Sequence, residues 1–353
     1  MRRIVCALMA ACAVATAATT HAAPMPAVAD RELVIFDNDW CEVVPLTPLL
    51  ANPRIQVLGV TTVTGDCWSP EATAAALADL ETLGRSDIPV LAGAVFPLVN
   101  TPGRMAAWEA LNGPLPWKGA WNAPDAKGRY HPDEPFRLAL GAPKAAKAGS
   151  ETAAAFMVRQ VRAHPHQVTI YAAGPMTNIA LALRLDPEFA RLTKQFVFDG
   201  GHIRAFEASG ESDADFNPAF DPEAAKIAFT APWPRVVSIG DLADSVVMTR
   251  ALRQRLTAKR TVLSTYIDGK VEDGMPIWDT IGAAIIADPS LITASTELKM
   301  DVDLAPGLYY GRVKVWTPGR KASLDARPVT VVQAIDRERY LNGLVAAAQG
   351  PVR

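Results

Sequence analysis

The chain has 353 residues, is 50% hydrophobic, and sets 35 basic against 37 acidic side chains for a net charge of −2. That length buries one large core or two medium ones. Near-neutral charge without Lys/Arg clusters excludes a nucleic-acid surface, because binding phosphates needs concentrated positive charge.

In chain order, Arg2 and Arg3 precede an apolar run from Ile4 to about Ala18 and the small-residue site Thr20-His21-Ala22. That order reads as a secretory signal over residues 1–22, too short to be a membrane span. Export to the periplasm or the medium is expected, with no membrane span elsewhere; lipidation at Cys12 is the alternative. Residues 23–31 read as an extension before a single domain over 32–349. Leu33–Phe36 is a short apolar strand ending in acids, Ile55–Val63 is a second, and Asp87–Leu91 leads a third. Glu71–Leu83 between them has helical spacing, with Gly84 as its stop. Residues 97–148 are rich in Pro, Gly and Trp (Trp108, Trp117, Trp121) and weakly periodic. They read as a long excursion over the site, or as a surface insertion packed by its own tryptophans. Gln167–Ala172 gives another strand, followed by a helix from Thr177; Phe196–Phe198 and Val236–Ile239 repeat the theme. Leu298–Val332 reads as strands around a turn at Pro318-Gly319, and Arg337–Gln349 as a closing amphipathic helix.

Continuous β-branched runs separated by helices mean strands covered on both faces. The fold expected is α/β, a mostly parallel central sheet flanked by helices. Ligands bind such sheets beyond the carboxyl ends of the strands, where this chain places Asp37, Asp39, Asp66, Asp199 and Asp241. After removal of the signal only Cys41 and Cys67 remain. An exported compartment permits a disulfide between them, two half-buried thiols being the alternative. The sequence has no GxSxG, P-loop, GxGxxG or HExxH motif, and one of its five histidines, His21, lies in the signal. Oxygen ligands are left, which suit hard ions such as Ca2+ or Mg2+.

The segments VIFDND (34–39), LGVTTVTGD (58–66), AAGPMTNIALALRLDPEFA (172–190), DGG (199–201), DFNPAFDPEAAKIAF (215–229) and WDTIGAAIIADPSLIT (278–293) occur in that order. Together they resemble the inosine-uridine preferring nucleoside hydrolase family, Rossmann-related in fold, over nearly the whole mature chain. DNDW (37–40) and PLVNTPGRMAAWEALNGPLPW (97–117) resemble a fungal and bacterial branch with a Trp-rich insertion. The resemblance implies hydrolysis of the N-glycosidic bond of a ribonucleoside through an oxocarbenium-like ribose. It also implies Ca2+ on the ribose hydroxyls and a water, and members that often associate into homo-oligomers.

Carried over by position, the resemblance makes Asp39 the base and a calcium ligand, and Asp37 the acid that supports it. Asp279 and the carbonyl of Ala173 become further ligands. Asn217 holds ribose hydroxyls, and Asp215 stands where many members have a glutamate bonding the 5′-hydroxyl. For Asp215 and Asn217 the alternative is a turn or N-cap before the next helix, and Asp221 reads as that helix's cap.

Three departures matter. Val43 and Val44 occupy the positions of two aspartates usual in the family, and valine ligates nothing. Glu42, Asp66 and Asp199 are acids where the family pattern has none, and are expected to rebuild a divalent site facing the same cavity. Trp278 replaces a histidine before Asp279; it cannot protonate a base but can stack on one. With Trp40 and the insertion's tryptophans as an opposite wall, it favours a purine-type base; a packed core aromatic is the alternative. Two rival functions stand beside this one. The valines leave room for a non-catalytic nucleoside- or sugar-binding protein. Asp37-Asn38-Asp39 also has the D-x-D of a haloacid dehalogenase-type phosphatase, which explains neither TNIALA nor DFNPAFDPEAA.

Overall fold

The structure, a computed structural model, describes residues 31–115, 117–122, 144–203 and 215–353. The signal expected at 1–22, with Cys12, most of the 23–31 extension and residues 123–143 of the insertion lie outside the described residues. Nine strands form one sheet: β1 Glu32–Asn38, β2 Ile55–Thr62, β3 Val90–Ala92, β4 Val168–Ala172, β5 Gln195–Phe198, β6 Val236–Ser238, β7 Ile292–Val302, β8 Val313–Trp316 and β9 Arg327–Ile335. Their order is β3-β2-β1-β4-β5-β6-β9-β7-β8. Strands β3 to β9 in that order pair in parallel, and β7 joins β9 and β8 antiparallel.

Strand β1 explains why its sequence is apolar without alternation. Val34 and Phe36 enter the core on one side of the sheet, and Leu33 and Ile35 enter the core on the other. Successive strand residues point to opposite faces, so a strand with a helical layer on each side must be apolar throughout. Chain order runs outward from β1 to β3 one way and from β4 to β6 the other. The carboxyl ends of β1 and β4 therefore flank a topological switch point, where a crevice opens.

The helix after β2 runs Ser69–Thr82, two residues earlier than expected, and Gly84 follows it at φ +70°. The excursion contains a helix, Pro102–Asn112, that its weak periodicity hid. Met105 is its one buried residue, so there is no apolar stripe to read. Its ends were the available signal: Thr101 accepts from the Arg104 amide, Pro102 opens the first turn, and Gly113 follows at φ +95°. Among the described residues no helix is long and apolar enough to cross a membrane.

Candidate active site

Asp37 is the penultimate residue of β1, hydrogen-bonded into the sheet between Thr61 of β2 and Ala172 of β4. Its Oδ1 accepts from the Thr61 hydroxyl (2.6 Å) and the Asn178 amide (2.8 Å), while its buried Oδ2 has no partner. Burial raises its pKa to about 6 against the pull of those two hydrogen bonds. Asn178 also donates to the Thr62 carbonyl and accepts from the Ala94 amide, tying the ends of three strands to this carboxylate. Thr61 and Asn178 went unassigned in the sequence; a buried amide inside an apolar helix start was the available signal.

Two residues on, Asp39 is 2% exposed and wedged between glycines. A Cβ on Gly65 would lie 2.1 Å from Asp39 Oδ2, and one on Gly174 would lie 2.5 Å from its Cβ and Cγ. Its Oδ2 accepts from the Asp66 amide at 3.1 Å, and its carbonyl accepts from the Cys67 amide at 2.8 Å. Asp39 and Asp279 both rise well above the usual carboxylate range. For Asp39 burial is the largest cause, then the charges of Asp66, Asp199 and Asp37. For Asp279 burial again leads, followed by the charge of Asp199, a hydrogen bond shared with it, and the charges of Asp39 and Asp66. The Tyr171 hydroxyl holds the Asp279 carbonyl at 2.7 Å. Asp39, Asp66, Asp199 and Asp279 thus form one electrostatic cluster at the switch point.

Asn217 closes the cluster from the helix Phe216–Phe220. Its amide nitrogen donates to the carbonyls of Ala173 and Asp199, both at 3.1 Å, which leaves its buried Oδ1 without a partner. Asp215 caps nothing; it accepts from the amides of Gly201 and His202 and so anchors the DGG turn. Asp221 does cap the next helix, accepting from the Ala224 amide at 3.1 Å.

Glu42 lines a small pocket with Trp40, Trp278 and Asp279. Its pKa, raised by burial to about 7, is governed next by Lys270 and Asp79, and it accepts a hydrogen bond from Trp40. Lys270 is ion-paired to Asp79 at 2.9 Å, so this side chain has a cation of its own to face. Other expectations need correction. Asp241 meets the Ile203 amide instead of the cluster. Trp40 and Trp278 lie against each other, ring centroids 5.2 Å apart, and form one wall rather than two. Val43 and Val44 are buried in the core.

Cys41 and Cys67 form a disulfide, which joins the loop bearing Asp39 to the loop bearing Asp66. The insertion does reach the site: Trp117 donates its indole N–H to Asp66, and the Ala120 amide donates to the Gly65 carbonyl at 2.8 Å. Trp121 packs on Phe220, 4.2 Å between centroids, and Trp108 donates to the Gly307 carbonyl.

The donors of the cluster are carboxylates, an amide oxygen and a carbonyl, a hard-oxygen set. Buried acids that repel one another call for a countercharge, and Asn217 Oδ1 is an acceptor in want of a donor or cation. The donor set thus fits a divalent ion. Among the described residues these acids form no trio with ligand atoms all within 4.8 Å of one another. The one such trio is Cys41, Cys67 and Glu71, whose sulfurs are already joined.

The sequence profile of the inosine-uridine preferring nucleoside hydrolases matches residues 34–342. The chain belongs to this family. It is 30% identical over 307 residues to the uncharacterized protein C800.11 of Schizosaccharomyces pombe, covering 80% of this chain and 76% of that one. It is 33% identical over 247 residues to the probable uridine nucleosidase 2 of Arabidopsis thaliana, covering 68% and 69%. The solved structure of a plant nucleoside hydrolase superposes with a TM-score of 0.68 at 25% identity, covering 91% of this chain and 99% of that one. As a nucleoside hydrolase the chain is an N-glycosidase that acts on ribonucleosides, in a metal-dependent family. The phosphatase alternative falls, because the match runs through the segments that D-x-D left unexplained.

Proposed function

We propose that the chain hydrolyses purine-type ribonucleosides outside the cytoplasm, with Asp39 as the base. The observation that carries this is the position of Asp39, buried at the switch point among three other acids and clasped by Gly65 and Gly174. Asp39, Asp279 and the Ala173 carbonyl would hold a divalent cation, Ca2+ being the first candidate. When bound, such an ion supplies an oriented water of lowered pKa. Asp39 takes the proton from the attacking water, and Asp37 behind it keeps the loop in place through Thr61 and Asn178. Asn217 Oδ1 accepts from a ribose hydroxyl, a role its lack of a partner suits. The surrounding carboxylates stabilise positive charge as it develops on the sugar. The paired indoles of Trp40 and Trp278 offer a planar base a broad apolar wall. The disulfide supports export, since cytosolic thiols stay reduced.

Ribose release from inosine, adenosine, guanosine and uridine tests this, in EDTA and in Ca2+. The purine nucleosides should be cleaved faster than uridine, and EDTA should suppress the reaction. Asp39→Asn should lower kcat by about 10²- to 10⁴-fold, the usual worth of a general base. Inosine bound without ribose release would replace this reading with that of a binding protein.

A further inference from the structure

A cavity of about 290 Å³ lies apart from the acid cluster, between the helix Pro102–Asn112, the start of the helix Pro222–Phe229 and the loop joining β7 to β8. Much of its wall is apolar, with Met105, Trp108 and Leu308 among the lining side chains. Trp108 is held in that wall by its bond to the Gly307 carbonyl at 2.8 Å.

Two of the charged groups in its wall, Glu223 and Arg312, are left half-used. Glu223 accepts from the Tyr310 hydroxyl through Oε1 at 2.7 Å, while its buried Oε2 has no partner. Arg312 stacks over the Tyr309 ring at 5.3 Å, while its buried Nε–H has no partner. A buried polar atom left unsatisfied costs free energy that a suitable ligand recovers. The cavity therefore offers one strong acceptor and, with Arg104 bonded to Tyr310 on the same wall, two charged donors among apolar side chains, the arrangement typical of a small-molecule site.

We propose that this cavity is a second small-molecule site, which takes a planar heterocycle with an N–H for Glu223 Oε2 and a carbonyl or ring-nitrogen acceptor for Arg312 Nε. A purely apolar ligand would leave both atoms unsatisfied, and an inorganic anion would neglect the apolar wall. A volume near 290 Å³ admits a fused bicyclic ring with room to spare.

Quinazolin-4-one, a bicyclic lactam that is not a nucleobase, is a suitable probe. Titrated calorimetrically into the full chain, it should bind at one site. Glu223→Gln and Arg312→Leu should each weaken that binding about tenfold or more, as expected for losing a charge-assisted hydrogen bond. Asp39→Asn, in the acid cluster, should leave it unchanged. Ala107→Phe, which fills the cavity from the helix Pro102–Asn112 and keeps both polar groups, should abolish it, and decides the matter if Glu223→Gln fails to fold. The proposal is overturned if wild type shows no saturable binding up to millimolar probe. It is also overturned if binding survives Ala107→Phe or is lost in Asp39→Asn.

Discussion

The carboxylate of Asp39 owes its position to two residues that have no side chain. Gly65 and Gly174 stand where any Cβ would collide with it, at 2.1 and 2.5 Å. A base displaced by even about 1 Å loses on the order of 10² in rate. Gly174→Ala should therefore cut kcat by about that factor, with the circular dichroism spectrum unchanged and Asp39 intact. Gly269, in the helix Val262–Lys270, meets nothing within 4 Å of a built Cβ. Gly269→Ala is the matched control and should leave kcat where it was. Equal rates in the two variants would show that the loop yields and the glycines do not clasp the base. The same clasp explains why the segments ending in Gly65-Asp66 and Ala173-Gly174-Pro175 read so clearly in the sequence. They are constrained by a third segment, at Asp39, and not only by their own strands.

At the scale of elements, the site is a meeting of loops rather than of secondary structures. The loop after β1 and the loop after β2 are tied by Cys41–Cys67, by the Cys67 amide on the Asp39 carbonyl, and by the Asp66 amide on Asp39 Oδ2. The insertion adds a third tie through Trp117 to Asp66 and Ala120 to Gly65. Asp221 explains how the insertion is registered, because its Oδ2 accepts from both the Leu98 amide and the Thr177 hydroxyl. The disulfide closes a sequence separation of 26 residues. Chain entropy alone makes such a closure worth about 3.5 kcal/mol. The double variant Cys41→Ser, Cys67→Ser should unfold at a clearly lower urea concentration, with a dependence on denaturant at least as steep, because the freed chain unfolds to a more open ensemble. An unaltered midpoint would mean that the cross-link does not restrict the unfolded chain, and that the covalent tie adds nothing to the hydrogen bonds that hold these loops in the folded one.

For the whole molecule, what the sequence disclosed follows burial. Strands covered on both faces announce themselves, so β1, β2, β4 and β5 were legible, as were the acids at their ends. The helix Pro102–Asn112 buries Met105 alone and left no periodic mark. The surroundings of Glu42 were hidden because the charges it feels are those of Lys270 and Asp79, residues far along the chain whose meeting only the fold reveals. Trp40 and Trp278 likewise became one wall through contact across the chain. These buried acids also determine how the fold responds to pH. Asp37 is raised from 3.8 to about 6, and Glu42 from 4.5 to about 7. Each binds its proton more tightly folded than unfolded. The stability each contributes is complete below its unfolded value and is lost as pH rises through its folded one. Each loss is on the order of 3 kcal/mol. In EDTA, the free energy of urea unfolding should therefore fall between about pH 4 and 7. Asp37→Asn and Glu42→Gln should each flatten that slope over its own part of the range, Asp37→Asn mainly below pH 6 and Glu42→Gln up to about pH 7. A slope identical in wild type and both variants would show that neither carboxyl holds its proton in the folded chain.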